Sequence, residues 1–306
     1  MAGALVLPAA ALAQQYGGTY RPEATAIGDG IWLVRGADEP LLFDNGGAVA
    51  NIVFMASDAG AILFDDGPSL GYGRALAELV RRTAGQSVTR IYVSHLHPDH
   101  SFGSGAFPQA EVLSLPETRH ELERDAEGFS DAMYRLLSGW MTGTEVILPQ
   151  ASVEPGRVQY GGRSFDLLAL NGHSAGDLAL LDHASGTLVA GDTVFHNRAP
   201  ATPTADIAAW LATLDRLEAI DHRQLVPGHG PLDTDGSAIA QTRDWLVWMD
   251  AALREAVAMG LDMTEAGQMA IPPRFAGMAA ARYELQRSVS HFYPRYEAEL
   301  FPRLDA

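Results

Sequence analysis

The chain has 306 residues, 47% of them hydrophobic, which is enough apolar content for one large folded domain or a domain with a small appendage. Its 38 acidic and 21 basic residues give a formal charge of −17, a field that repels phosphate backbones; with no basic stripe to offset it, no nucleic acid partner is expected. The absence of cysteine excludes disulfides, thiolate ligands and a cysteine nucleophile, so any metal must be held by nitrogen and oxygen. In chain order, the first element is MAGALVLPAAALAQQ, an apolar stretch ending in Ala11-Leu12-Ala13, the small-x-small pattern that precedes a signal-peptidase cut. No basic residue precedes Arg21, so residues 1–13 read as a truncated signal-peptide-like segment, and a periplasmic or secreted location is expected. No other apolar run reaches the roughly 18 to 20 residues of a membrane span, so no membrane anchor is expected.

Short β-type runs then alternate with helical stretches. GIWLVRG (30–36) and NIVFMASDAGAILFDDG (51–67) are two apolar runs joined by a turn, and the pair reads as a hairpin. GYGRALAELVRRTAG (71–85) spaces Leu76, Leu79 and Val80 as a helix, and VTRIYVSH follows as a buried strand. A polar helical region covers 116–141, and strands are predicted at 163–172, 177–195 and 223–230. Ile207, Leu211, Leu214 and Leu217 form one helical face between the last two. From about 237 onward the pattern is helical only. Strands in two groups, each with helices, predict an α/β layered sandwich with a helical C-terminal extension.

The chemistry gathers at strand ends. IYVSHLHPDHSFGSG (91–105) places His95, His97, Asp99 and His100 within six positions of a chain holding ten histidines. Three imidazoles and a carboxylate buried together without a metal would be poorly satisfied. His173 in NGHSAGD, Asp192 in VAGDTVF and His229 in VPGHG also lie at predicted strand ends beside small residues. Five histidines and two aspartates suit two metal ions: His95, His97 and His173 give the three-nitrogen set of a catalytic zinc, Asp99, His100 and His229 hold a second ion, and Asp192 bridges.

These stretches, SHLHPDH, NGHSAGD, AGDTVF and PGHG in that order, resemble the signature motifs of the metallo-β-lactamase-fold superfamily, and LFDDGPS around Asp65 resembles its early Asp-Thr-Gly-type motif. The resemblance implies a four-layer αββα sandwich over residues 18–236, with 237–306 as the C-terminal extension. Asp192 stands where one class of true β-lactamases uses a cysteine, and a bridging aspartate there is similar to the glyoxalase II-like branch. The stretch from Gly191 to Pro231 is still more similar to the SoxH-like, quinoprotein relay-system zinc metallohydrolases, which are exported.

The resulting expectation is an exported dinuclear zinc hydrolase, with two Zn2+, whose metal-bridging hydroxide cleaves a thioester, ester, lactone or amide of a small metabolite. Asp99 is the catalytic residue, orienting the hydroxide and passing on its proton. The alternatives are a persulfide dioxygenase on the same fold, with Fe2+ on a 2-His-1-carboxylate triad of His95-, His173- and Asp192-type residues, or a β-lactamase. Asp65 is expected to fix the ligand loop rather than to ligate. His196 and Arg198 follow Asp192 on a loop able to line the pocket, whereas Tyr283, His291, Phe292, Tyr293 and Tyr296 read as a packed helix. His120, His183 and His222 lie in no motif, and no Lys-rich glutathione-binding pattern occurs in the C-terminal helices. Specificity is expected from residues 116–145, 196–204 and those helices.

Overall fold

A computed structural model describes residues 18–301; the signal-like segment 1–13 and the final residues 302–306 of the expected extension lie outside the described residues. Strands β1 (Ala24–Gly28), β2 (Ile31–Val34), β3 (Ile52–Met55), β4 (Ala61–Phe64), β5 (Val88–Tyr92), β6 (Glu111–Ser114) and β7 (Ala151–Ser152) form one sheet in chain order. The first four pair antiparallel, and β4 to β7 run parallel. Parallel neighbours need crossovers, supplied by α1 (Leu70–Ala84), by a loop with the short α2 (Pro98–Ser101), and by α3 (Pro116–Leu137). The expected pairing of the runs 30–36 and 51–67 appears as antiparallel β2–β3, and the second run itself splits into the antiparallel pair β3–β4, turning through Ser57 to Gly60.

The second sheet contains β8 (Gly156–Tyr160), β9 (Arg163–Leu170), β10 (Asp177–Asp182), β11 (Thr187–Phe195) and β12 (Gln224–His229), in the order β12-β11-β10-β9-β8. Only β11–β12 is parallel, and its crossover is α4 (Ile207–Glu218). The remaining helices are α5 (Ser237–Ala258), α6 (Met263–Gly267) and α7 (Ala281–Leu300).

The sheets face each other through Ile31, Val53 and Phe64 on one side and Phe165, Leu178 and Val189 on the other. Tyr72, Leu76 and Val80 of α1 cover the outer face of the first sheet. Trp210 and Leu214 of α4, Trp245 and Leu253 of α5 and Phe292 and Tyr296 of α7 share one core over the outer face of the second. This is a mixed α/β fold with the helix–sheet–sheet–helix layering anticipated from the sequence. Each large apolar side chain buried there contributes about 1.5–3 kcal/mol, so the C-terminal helices stabilise the second sheet directly.

The strands that the sequence did not reveal have physical reasons to be faint. β1 and β8 are largely exposed outer strands that pack only Ile27, and only Val158 and Tyr160, onto the core between the sheets, β7 has two residues, and β6 is only four long. No helix among the described residues is long and apolar enough to cross a membrane.

Candidate metal centre

The motif residues converge where the strands of both sheets end. β5 leads into Ser94 and His95, His97 immediately precedes α2, and Asp99 and His100 lie within it. His173 follows β9, Asp192 sits within β11, and His229 ends β12. β11 carries a register irregularity at Gly191, whose φ is +54°. Such a bulge re-aims the next side chain, here Asp192. At Gly228 a Cβ would lie 1.9 Å from Asp192 Oδ1, so only glycine lets the β12 turn pass this carboxylate.

His95 Nε2 lies 2.9 Å from His97 Nδ1, and His173 Nε2 lies 3.0 Å from the same atom. Two nitrogens on one tetrahedral zinc stand about 3.3 Å apart, close to this spacing. In the second group His100 Nε2 lies 3.4 Å from His229 Nε2, and Asp99 Oδ2 is 3.6 and 3.4 Å from these two nitrogens. Asp192 joins the groups: Oδ2 is 3.8 Å from His95 Nε2, 3.4 Å from His173 Nε2 and 3.3 Å from His229 Nε2, while Oδ1 is 3.0 Å from His100 Nε2. All seven candidate ligands named from the sequence fall in these two groups, and all are buried.

The donor set fits cations. Asp192 Oδ1 is buried with only the His100 Nε2 contact at 3.0 Å, which falls short of hydrogen-bond geometry, and three imidazole nitrogens meet at a spacing that protons alone cannot satisfy. Burial pushes His95 and His173 well below the usual histidine range and His97 down to about 4, leaving neutral rings with lone pairs to offer. Burial also opposes a charge on His100, yet Asp192, Asp99 and Asp65 together hold its pKa well above normal. A site that binds a proton this strongly among carboxylates also attracts a metal cation. Burial alone would raise Asp192, but His229 and His100 hold it well below the carboxylate range.

A supporting layer fixes these ligands. Asp65 has a left-handed φ of 67°, which an aspartate tolerates; its Oδ1 accepts the Ser94 N–H at 2.7 Å and its Oδ2 lies 2.7 Å from His100 Nδ1. Ser94 Oγ donates to Asp65 Oδ2 at 2.8 Å and lies 2.8 Å from His95 Nδ1. Three residues escaped sequence reasoning. Asp177 accepts the His173 and Ser174 N–H groups, and Asn51 donates to the carbonyls of Pro227 and Gly230, tying the β12 turn to the first sheet. Trp210 packs edge-on to His173 with ring centroids 5.0 Å apart and donates its indole N–H to Thr193 O. The aspartate ending NGHSAGD and the asparagine opening NIVFM were the available signals, each a lone polar residue beside a motif or strand.

A cavity of about 240 Å³ opens over the ligands and is lined by His97, Asp99, Asp192 and His229. Leu41, Val49, Phe129, Met133 and Leu136 form apolar walls, and Arg198, Tyr283 and Arg287 line another side. Two expectations are corrected here. His196 does not line this cavity, because its Nδ1 donates to Pro231 O at 2.9 Å and holds the ring against the β12 loop. Tyr283 is not packed: it is 41% exposed at the cavity, whereas Phe292, Tyr293 and Tyr296 are buried as expected. Leu41 and Val49 come from the β2–β3 loop, which the sequence reading gave no role. Outside the centre, His183 pairs with Asp166 and His222 with its own loop carbonyl.

A family model described as “Metallo-beta-lactamase superfamily” matches residues 45–229. The acyl-coenzyme A thioesterase MBLAC2 of Gallus gallus is 25% identical over 222 residues, covering 65% of this chain and 71% of that protein. Its Homo sapiens counterpart is 25% identical over 226 residues, covering 65% and 72%. Among solved structures, the stereoselective inverting sec-alkylsulfatase Pisa1 from Pseudomonas sp. superposes with a TM-score of 0.67 at 17% identity, covering 90% of this chain and 50% of that one. A metallo-beta-lactamase from Pontibacter korlensis gives 0.61 at 19% identity, covering 74% and 99%. At such identities the structural matches establish the fold.

Proposed function

The chain belongs to the metallo-beta-lactamase superfamily and is a metal-dependent hydrolase, and on that premise we propose that it holds two zinc ions and cleaves an acyl thioester or ester of a small molecule. The observation that carries this reading is the Asp192 carboxylate, within 3.0–3.4 Å of nitrogens in both ligand groups and lining a largely apolar cavity. The thioesterase activity named for the two curated relatives supports the thioester as substrate class. A periplasmic or secreted location is part of the proposal and rests on the Ala11-Leu12-Ala13 pattern.

His95, His97 and His173 would hold one ion, Asp99, His100 and His229 the other, with Asp192 between them. When bound, two such ions make a water acidic enough to attack near neutral pH and polarise the carbonyl oxygen. The protein's own groups do the rest. Asp65 and Ser94 orient His100 and His95 so that their lone pairs point inward. Asp99 lines the cavity with Oδ2 towards His100 and His229, placed to accept the attacking water's proton and pass it to the leaving thiol or alcohol. Leu41, Phe129 and Met133 shed water around an acyl chain, which strengthens the electrostatic interactions at the reacting carbonyl.

The test is a panel of acyl thioesters, esters and lactones assayed with the zinc-loaded chain, with and without chelator. Chelator-sensitive thioester or ester hydrolysis is expected, with β-lactam turnover weak at most. Oxygen uptake on a persulfide by an iron-loaded chain, with no hydrolysis, would overturn the reading.

A further inference from the structure

On one side of the cavity two guanidinium groups share a single carboxylate. Glu284 of α7 is fully buried; its Oε1 accepts from Arg198 at 3.2 Å and its Oε2 from Arg287 at 3.2 Å. The two arginines differ in how they are held. Arg198 is buried, with further bonds to the carbonyls of Asp38 and Ala199, so its donors are engaged by the protein. The Arg287 side chain is 36% exposed, and among the described residues it makes no hydrogen bond beyond the one to Glu284. Its guanidinium lies over the Tyr283 ring, 5.6 Å from the centroid, which holds the planar group at the cavity.

The charges do not cancel. Two guanidiniums on one carboxylate leave a local positive charge at this part of the lining, in a protein of net charge −17. A buried carboxylate that holds one arginine rigid and orients the donors of a second, exposed one makes a receptor for an anion. Apart from the ligand residues His97, Asp99, Asp192 and His229, the rest of the lining is largely apolar, with Leu41, Val49, Phe129 and Leu136. Resting on the hydrolase reading above, we propose that Arg287, oriented by Glu284, binds an anionic group of the substrate, so that the favoured substrates are anionic amphiphiles with an acyl chain on the apolar wall and a negative group on α7.

Two matched pairs of probes test this, each with a sulfonate against a neutral methyl sulfone at the chain terminus; sulfonates are chosen because carboxylates would also bind metals. The first pair consists of non-hydrolysable alkyl chains, with equilibrium binding measured on wild type, Arg287→Gln and Arg287→Lys. The second consists of medium-chain thioesters, with hydrolysis measured on the zinc-loaded chain. A charge-assisted hydrogen bond is worth roughly tenfold to a hundredfold in affinity. The expected result is a sulfonate preference of at least about tenfold in wild type, lost in Arg287→Gln, partly kept in Arg287→Lys and weakened by salt. A binding preference near one in wild type, or one unchanged by Arg287→Gln, overturns the inference whatever the hydrolysis rates. Binding that follows the expectation while neither thioester is cleaved leaves the anion site standing and overturns the thioester reading instead.

Discussion

The Asp65 carboxylate lies 2.7 Å from Nδ1 of His100, while Nε2 of the same ring points at Asp192 Oδ1, 3.0 Å away. One side of the imidazole is therefore held by a buried carboxylate and the other is presented to the second ligand group. In Asp65→Asn the loop keeps an oxygen for Ser94 but loses a charged acceptor for His100. Affinity for the second metal should fall roughly tenfold to a hundredfold, with a smaller effect at the first. Competition against a chromophoric chelator resolves the two sites; equal weakening of both would show that Asp65 does not act through His100.

Asp192→Ala removes the one carboxylate that faces both groups. Both sites should weaken, and hydrolysis should drop by roughly a thousandfold or more while circular dichroism still reports a folded chain. A variant that retains two tightly bound metals and full turnover would show that Asp192 does not bridge.

Leu136 is 43% exposed and lines the cavity, so a larger residue there obstructs the acyl chain without disturbing the core. Leu136→Trp should lower kcat/KM for medium-chain thioesters roughly tenfold more than for an acetyl thioester. An equal effect on both would place the acyl chain elsewhere.

Tyr20 donates to Gly46 O at 2.6 Å, and burial, partly offset by a hydrogen bond from Ser69, pushes its phenol up to about 12. An unfolded tyrosine ionises near 10, so the stability held by this neutral phenol is complete below about pH 10 and is lost as pH rises towards 12. At pH 8 Tyr20→Phe should be about 1 kcal/mol less stable than wild type for want of the hydrogen bond. That difference should close towards pH 11 in denaturant titrations; a constant gap would mean that Tyr20 ionises alike in both states.

The centre was legible because metal ligation restricts residue type and spacing: five histidines and two aspartates stand beside small residues at strand ends, and nothing structural accounts for SHLHPDH otherwise. Asp65 could be read as a support for the same reason, through its motif. The cavity was far less legible. Phe129, Leu136 and Tyr283 sit on helices whose periodicity gives the face that packs but not what opens opposite it, and Leu41 and Val49 lie in a loop with no pattern. His196 misled because nearness in sequence to Asp192 says little about direction once the chain turns after β11. Outer strands such as β1 and β8 escaped because they are short and place only one or two apolar side chains on the core between the sheets, Ile27 in β1 and Val158 and Tyr160 in β8.

Elemental analysis of the purified chain, coupled to thioester hydrolysis before and after chelation, bears most directly on the two-metal account. It predicts close to two zinc ions per chain, with hydrolysis abolished by chelation and restored by zinc. One iron per chain, with oxygen consumed on a persulfide and no hydrolysis regained on adding zinc, would contradict it.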